Sequence, residues 1–158
     1  MGELFRHGTS LLLPLIVLVF VPWLIVENSE PALHLLMIPG ALFLAAGLLV
    51  MGASIRMFVA IGRGTLAPWD PTKKLITGGL YAFVRNPMIM GVLSVLIGEA
   101  MIFKSVNITI WAGLFFIINT LYFKYSEEPG LEKRFGDEYI VYKQNVPRWL
   151  PRLTPWNG

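Results

Sequence analysis

The sequence predicts an all-α integral membrane protein with about four transmembrane helices, and this prediction rests on the composition and on four apolar runs. Hydrophobic residues make up 55% of the 158 residues and charged residues only 15%, whereas about a quarter of a soluble domain is charged. The mean hydropathy of the chain is +0.63. The apolar runs, at about residues 10–26, 31–61, 87–103 and 108–125, approach the roughly 20 residues that a membrane-spanning helix requires. A chain of this length is expected to form one domain.

The first two runs have features that favour packed transmembrane helices. The first run could be a signal peptide, but it lacks a small-residue cleavage site, and the acidic residues Glu27 and Glu30 follow it directly. The second run contains Gly40, Gly47 and Gly52, and small residues let two helices approach closely in a membrane. We therefore expect both runs to be spans, with the three glycines facing neighbouring helices.

Two longer polar segments, a loop at residues 62–86 and a tail at residues 126–158, complete the chain. The loop contains several glycines and prolines, which exclude one regular helix, and too many apolar side chains for disorder. A loop of this length in a compact protein is usually functional. In the tail, four apolar residues recur at the spacing of one helix face: Leu131, Phe135, Tyr139 and Tyr142. The tail is therefore predicted to contain an amphipathic helix.

The basic residues predict the side of the membrane that each segment occupies. Four spans place the N-terminus, the loop and the tail on one side, and of the 13 lysines and arginines only Lys104 falls on the other side. Because basic residues are enriched on the cytoplasmic side, the loop and both termini are predicted to be cytoplasmic. We expect a multi-pass protein in a bacterial or archaeal cell membrane, in contact with membrane lipids.

The residue types exclude several kinds of site. The chain has no cysteine, so a disulfide, a thiol nucleophile and a cysteine-ligated metal are impossible. The two histidines, His7 and His34, are far apart in sequence, which makes histidine-based metal or triad chemistry a poor expectation. The net charge of +3 is modest. We predict no metal site and no nucleic-acid partner, and the sequence leaves the oligomeric state open.

The stretch between the loop and the third run contains a local signal for a binding site. Asparagine is favoured as the N-cap of a helix and proline as its first residue, so Asn86 and Pro87 predict the start of the third helix. A helix N-terminus presents unpaired N–H groups and a partial positive charge, which suit a carboxylate or a phosphate. Gly78 and Gly79 upstream allow a sharp turn or a close approach to a ligand.

Two adjacent acids, Glu127 and Glu128, follow the fourth run, and we expect them at the same depth as the start of the third helix. An anion-binding helix start and paired carboxylates together suit a zwitterionic ligand, such as an amino-acid moiety. The two acids could instead belong to a solvated helix. Glu99 in the third run is another candidate because a carboxylate is costly inside a membrane, although it could meet Lys104 or water at the far interface.

The residues around this helix start resemble a known signature. The sequence LITGGLYAFVRNPMIMG at residues 75–91 is similar to that of the isoprenylcysteine carboxyl methyltransferase and phospholipid methyltransferase group. The signature is Arg-His-Pro-x-Tyr-x-Gly, followed after a helical hairpin by a Glu-Glu pair, here Glu127 and Glu128. The tail sequences at residues 135–139 and 146–148 also match the family. The resemblance covers about residues 62–152, and the ordered set of motifs is specific although each motif is short.

The resemblance implies a methyltransferase that takes a methyl group from S-adenosylmethionine and transfers it to a lipophilic or amphiphilic acceptor at the cytoplasmic face. Glu127 would bind the amino group of the cofactor. Glu128 and Arg85 are the implied catalytic residues, with Glu128 as the base if the acceptor is an amine. The other implied cofactor-binding residues come from the loop, the third helix and the tail: Lys73, Lys74, Leu75, Ile76, Tyr81, Asn86, Pro87, Met88, Ile89, Gly91 and Tyr139.

Three positions depart from the family pattern. Asn86 replaces the signature histidine, which preserves helix capping and a hydrogen-bond donor but removes acid–base chemistry at that position. Ile89 replaces the signature tyrosine and so removes a hydroxyl. The isoprenylcysteine enzymes place an arginine four residues before the first glutamate to hold the substrate carboxylate, and Phe123 occupies that position here. A lipid amine, a thiol or another amphiphile is therefore a better candidate acceptor than a prenylcysteine carboxylate.

Two other functions fit parts of the sequence. Membrane sterol reductases carry a similar Arg-His-Pro-like signature and bind a nicotinamide cofactor, but they are longer and have more spans. A non-catalytic membrane scaffold with the same fold would account for the loss of the histidine and the tyrosine from the signature. Titration of the protein with each cofactor distinguishes the three functions.

Overall fold

A computed structural model describes residues 13–26, 35–62 and 74–158, and the regular structure in these ranges is helical. The main helices are α1 (Leu13–Ile25), α2 (Met37–Met57), α3 (Pro87–Phe103), α4 (Val106–Phe135) and α5 (Asp137–Asn145). Shorter elements are π-helical stretches at Ile16–Phe20, Phe58–Gly62 and Phe123–Glu127, and a 3₁₀ turn at Gly79–Ala82. The all-α prediction is confirmed for the described residues.

Four apolar helices lie where the four spans are predicted. Within the described ranges, α2 and α4 are long and apolar enough to cross a membrane, whereas α1 and α3 are apolar but shorter, within 10–17 residues. That all four cross a membrane, with the loop in the cytoplasm, stays a prediction.

The fourth helix is longer than predicted, and the turn before it is shorter. Lys104 ends α3 in the left-handed conformation, with φ of 48°, and Ser105 caps α4 by accepting a hydrogen bond from the Ile108 N–H at 3.2 Å. Pro129 does not end α4. It lies two residues after the π-helical stretch at Phe123–Glu127, where the regular i→i−4 hydrogen bonding is already interrupted. The predicted span at 108–125 is therefore part of one helix that runs from residue 106 to residue 135.

The tail contains a helix break that the sequence pattern does not show. Gly136 separates α4 from α5 with φ of 54° and ψ of −132°, a conformation that other residues adopt only under strain. The four apolar residues predicted to share a face still do so, because Tyr139 and Tyr142 of α5 pack with Leu131 and Phe135 of α4. The shared face is confirmed, but the prediction of a single amphipathic helix is wrong.

Replacement of Gly136 by alanine is expected to lower the free energy of unfolding by about 1–3 kcal/mol, because alanine would have to adopt a backbone conformation that is disfavoured for residues with a Cβ. Gly130→Ala is the matched control, because Gly130 lies in α4 and a Cβ placed there has no atom of residues 13–26, 35–62 or 74–158 within 4 Å. Thermal unfolding of both variants in detergent measures the difference. Equal stability of the two variants would contradict the proposed role of Gly136.

The helices α1 to α4 pack around one core. Its buried members are Leu18, Met51, Val92, Val95, Leu96 and Ala112. Two hydrogen bonds also join α1 to α4, from Trp111 Nε1 to the Val17 carbonyl at 3.1 Å and from Asn107 Nδ2 to the Ile25 carbonyl at 3.1 Å. These bonds satisfy polar groups that would be costly to leave unpaired among apolar side chains.

Two facing pairs of glycines let α2 and α3 approach closely. Gly47 faces Gly91, and Gly40 faces Gly98, as expected for antiparallel helices. A Cβ at Gly47 would lie 2.6 Å from the Gly91 carbonyl oxygen, and one at Gly98 would lie 2.7 Å from the Gly40 carbonyl oxygen. Only residues without a Cβ allow this separation, so the glycines fix how α3 sits against α2.

This interface settles the predictions made for the glycines of the second run. The packing role of Gly40 and Gly47 is confirmed. That of Gly52 is not borne out by the described residues, since none of their atoms lies within 4 Å of a Cβ placed there. A hydrogen bond lies between the two glycine pairs, from Ser94 Oγ to the Phe43 carbonyl at 2.7 Å. It adds a polar contact between the helices, a common device in membranes.

Candidate functional site

The start of α3 presents unpaired donors. Asn86 occupies the N-cap position and Pro87 the first helical position, as predicted, and the Met90 N–H donates to the Asn86 carbonyl at 3.2 Å. The prediction that Asn86 preserves helix capping is wrong for its side chain, which makes no capping hydrogen bond. Asn86, Met88 and Ile89 are half-buried, and first-turn N–H groups have no partner within their own helix. This end of α3 therefore suits an anionic group.

Glu128 is the centre of a buried ion-pair cluster. Its side chain is 4% exposed, and its Oε1 accepts hydrogen bonds from Arg85 Nη1 at 2.8 Å and from Arg148 Nε at 2.6 Å. Arg148 Nη2 donates to Oε2 at 2.9 Å, and Lys143 Nζ lies 3.5 Å from the same oxygen. Both carboxylate oxygens are therefore engaged by cationic donors. This geometry does not suit the general-base role predicted for Glu128, because a base needs a free oxygen for the proton.

The cluster joins three segments that are distant in sequence. Arg85 belongs to the loop, Glu128 to α4 and Arg148 to the tail. Because Arg85 directly precedes Asn86 and Glu128 directly follows Glu127, the ion pair places the start of α3 beside the acidic pair. The two parts of the site that the sequence predicts separately thus lie at the same end of the helices.

The backbone of the tail is also hydrogen-bonded to the loop. Three bonds join the two segments, from Arg85 N–H to the Pro147 carbonyl at 2.9 Å, from Arg152 N–H to the Phe83 carbonyl at 2.9 Å and from Trp156 N–H to the Ala82 carbonyl at 3.0 Å. In addition, the Tyr142 hydroxyl donates to the Tyr81 carbonyl at 2.8 Å. The loop and the tail, which the sequence analysis predicts on the same side of the membrane, are therefore in direct contact. We call residues 146–156 the tail strap.

Arg85 keeps one buried donor unsatisfied. Its side chain is 10% exposed, and its Nε has no hydrogen-bond partner among the residues that the structure describes. Its Nη1 also donates to the Tyr139 hydroxyl at 3.4 Å. Burial and the Glu128 carboxylate raise the pKa of Tyr139, so this hydroxyl stays protonated at neutral pH. An unpaired buried cationic N–H is costly, and an anionic ligand group beside Arg85 would satisfy it.

Glu127 has different surroundings from its neighbour Glu128. Glu127 is half-buried, and the Tyr122 hydroxyl donates to its Oε2 at 3.1 Å. It lies at the end of the π-helical stretch Phe123–Glu127, and such stretches are frequent at functional sites. Because its carboxylate is accessible, Glu127 is the better placed of the two acids to bind a ligand ammonium group.

Several other predicted cofactor residues make packing contacts. The Tyr81 side chain is buried, and its ring lies against the Phe58 ring with centroids 5.9 Å apart. Gly91 faces Gly47 at the α2–α3 interface. Tyr81 and Gly91 therefore have a role in helix packing, and their predicted role in cofactor binding stays a prediction. The other predicted residues that are buried or half-buried in the loop and at the helix start are Leu75, Ile76 and Pro87.

Lys74, Lys73 and Glu99 are the remaining predicted residues. Lys74 is exposed at the start of the described part of the loop, and Lys73 lies outside the described residues. Glu99 lies near the end of α3 that is opposite to Asn86, and its Oε2 has no hydrogen-bond partner in the described ranges. Its functional role therefore stays a prediction, separate from the site around Glu128.

Two basic residues of the cluster, Lys143 and Arg148, are not predicted as site residues from the sequence. A lysine in a polar helix is usually a solvated residue, so Lys143 carries no signal of its own. Arg148 carries a weak signal, because it belongs to a tail sequence that resembles the family. The contact between Arg148 and Glu128 cannot be predicted from sequence spacing, because it depends on the change of chain direction at the helix break at Gly136.

The comparison with known families agrees with this arrangement. A family model described as phospholipid methyltransferase matches residues 35–138, about two thirds of the chain. The chain belongs to the phospholipid methyltransferase family. The resemblance predicted from the sequence is thereby confirmed, and membership supports a membrane-associated methyltransferase over the reductase alternative. Searches of the curated proteins and of the solved structures gave no match.

The family match covers part of the site. It includes Arg85, Asn86, Glu127 and Glu128, whereas Arg148 lies beyond its end. The contribution of the tail strap to the site is therefore visible from the structure and not from the matched range.

Proposed function

We propose that this family member is an integral membrane methyltransferase that transfers a methyl group from S-adenosylmethionine to a lipophilic or amphiphilic acceptor at the cytoplasmic face. The observation that carries the proposal is the 2.8 Å ion pair between Arg85 and Glu128, which sets the start of α3 beside Glu127. When bound, S-adenosylmethionine supplies a methyl group on an already activated sulfonium.

The residues at this position fit the amino-acid end of S-adenosylmethionine, which carries an ammonium and a carboxylate. Glu127 offers a half-buried carboxylate for the ammonium group. The uncapped Asn86 side chain, the first turn of α3 and Arg85 Nε offer donors for the carboxylate. Complementary charges at both ends of a short zwitterion fix its orientation, as charge-assisted hydrogen bonds do in general.

The contribution of the protein to methyl transfer is mainly positioning and the exclusion of water. Holding two reactants in line can contribute up to about 7–11 kcal/mol in the best cases. Glu128 holds Arg85 and Arg148 in this scheme and takes no proton, because both of its oxygens are engaged. Ile89, which replaces the signature tyrosine, adds an apolar side chain at the first turn of α3.

The outer surface of α4 supports an acceptor that arrives through the membrane. Large apolar side chains are exposed along it: Ile110, Leu114, Ile117, Ile118 and Leu121. Contiguous exposed apolar surface of this kind is typical of contact with lipid. A lipophilic acceptor would reach the end of α4 from the side, whereas the polar cofactor would enter from water.

Replacing Glu127 by alanine is expected to weaken the binding of S-adenosylhomocysteine by about 10- to 100-fold, because a hydrogen bond to a charged group contributes about 1.5–3 kcal/mol. Isothermal titration calorimetry in detergent measures the dissociation constant. Glu138→Ala is the control, since Glu138 is an exposed acid of α5. Equal affinity of all three proteins would remove Glu127 from the site. A wild-type protein that does not bind at millimolar ligand would favour a non-catalytic scaffold.

A further inference from the structure

We propose that Arg148 of the tail strap is a positioning residue that, through Glu128, holds the start of α3 in the geometry required for cofactor binding. The proposal rests on the proposed function and adds a tail residue to its site. It assigns to Arg148 no contact with the cofactor.

The hydrogen bonds of Glu128 form a continuous connection from the tail to the loop. Arg148 binds the carboxylate at two points, from Nε at 2.6 Å and from Nη2 at 2.9 Å. The oxygen that accepts from Arg148 Nε also accepts from Arg85 Nη1 at 2.8 Å. Because two guanidinium groups share one oxygen atom, a displacement of either arginine changes the position available to the other.

Consecutive residues of the tail strap hold Arg85 by its backbone and by its side chain. The Pro147 carbonyl accepts a hydrogen bond from the Arg85 N–H at 2.9 Å. Arg148 holds the Arg85 guanidinium through Glu128. Arg85 directly precedes Asn86, the N-cap of α3, so these contacts fix the position at which the first turn begins. A helix terminus that binds an anion depends on that position, because its N–H groups must point at the ligand.

The charges around Glu128 allow Arg148 to be replaced without leaving the carboxylate unpaired. Arg85 Nη1 lies at 2.8 Å and Lys143 Nζ at 3.5 Å from its oxygens, and the Tyr139 hydroxyl accepts from the same Arg85 nitrogen. A carboxylate that retains two cations remains compensated. The loss of Arg148 is therefore expected to affect the orientation of Arg85 more than the stability of the fold.

The expected effect is a loss of cofactor affinity that depends on the geometry of the guanidinium. Arg148→Met should weaken S-adenosylhomocysteine binding on the order of tenfold or more, since the hydrogen bonds from the first turn of α3 to the ligand carboxylate depend on the position of that turn. Arg148→Lys should give an intermediate loss, because an ammonium group retains the charge but cannot bind the carboxylate at two points.

The test measures dissociation constants by calorimetry and unfolding temperatures, in detergent, for the wild type and four variants: Arg148→Met, Arg148→Lys, Glu128→Gln and the double variant Arg148→Met/Glu128→Gln. Lys133→Met is the control because Lys133 is an exposed basic residue of α4. If Arg148 acts through Glu128, the double variant should bind no more weakly than Glu128→Gln alone. This non-additivity is the readout that a general loss of stability would not produce.

The proposal is overturned if Arg148→Met binds as tightly as the wild type, or if its effect adds fully to that of Glu128→Gln. Should Arg148→Met fail to fold, Arg148→Lys provides the test, and wild-type affinity in that variant would overturn the proposal. A wild type that binds no S-adenosylhomocysteine would refute the proposed function itself. A wild type that binds, together with an unaffected Arg148→Met, refutes only the role of the tail strap.

Discussion

Replacement of Glu128 by leucine is expected to lower the free energy of unfolding by about 3–5 kcal/mol, because the loss of one partner of a buried ion pair leaves uncompensated charge. Glu128 is 4% exposed, and Arg85 is 10% exposed. Without the carboxylate, the guanidinium groups of Arg85 and Arg148 would face each other in a site largely closed to water. Denaturant-induced or thermal unfolding in detergent measures the loss.

The adjacent residue provides the matched control for this prediction. Glu127→Leu is expected to change the free energy of unfolding by less than about 1 kcal/mol, because Glu127 is half-buried and its hydrogen bond from the Tyr122 hydroxyl lies at an exposed position. The same variant should lose cofactor affinity. Glu128 is thus expected to contribute mainly to stability and Glu127 mainly to cofactor binding. Similar losses of stability in both variants would contradict this assignment of roles.

Replacement of Gly47 by alanine is expected to lower the free energy of unfolding by about 1–3 kcal/mol, the typical cost of overpacking. A Cβ there would lie 2.6 Å from the Gly91 carbonyl oxygen and 2.8 Å from the Val95 backbone nitrogen. Because both atoms belong to the backbone, a side-chain rotation cannot relieve the clash, and α2 and α3 must move apart. Thermal unfolding in detergent measures the effect.

Gly52→Ala provides the contrast within the same helix. Within the described part of the chain, no atom lies within 4 Å of a Cβ at Gly52, and alanine favours a helix over glycine by about 0.5–1 kcal/mol. Gly52→Ala should therefore be neutral or stabilising, and an equal loss in both variants would contradict the packing role of Gly47. Gly91 lies one turn after Pro87, so separation of α2 and α3 should also weaken cofactor binding.

The sequence predicts helix ends well where a residue determines them chemically. The bounds of α3 are correct because Asn86 and Pro87 start a helix and Lys104 follows the end of the apolar run. The extension of α4 to Phe135 is missed because the apolar run ends near residue 125, and the π-helical stretch that continues the helix is not visible in the pattern. The break at Gly136 is hidden because the apolar spacing continues across it.

The sequence also predicts that the start of α3 and the acidic pair belong together, but it does not separate the roles of the two acids. Adjacent residues on a helix point about 100° apart, so Glu127 and Glu128 face different neighbours. Which acid is enclosed depends on Arg148, and its return to Glu128 is a tertiary contact with no spacing rule. The sequence therefore suggests a catalytic base at Glu128, whereas the structure shows that Glu128 is the centre of an ion-pair cluster.

The structure of the protein in complex with S-adenosylhomocysteine tests the central claim most directly. We expect the ligand ammonium group within about 3.2 Å of the Glu127 carboxylate, the distance of a hydrogen bond, and the ligand carboxylate at the first turn of α3 beside Arg85. A ligand bound elsewhere, or one whose ammonium group lies away from Glu127, would contradict the account.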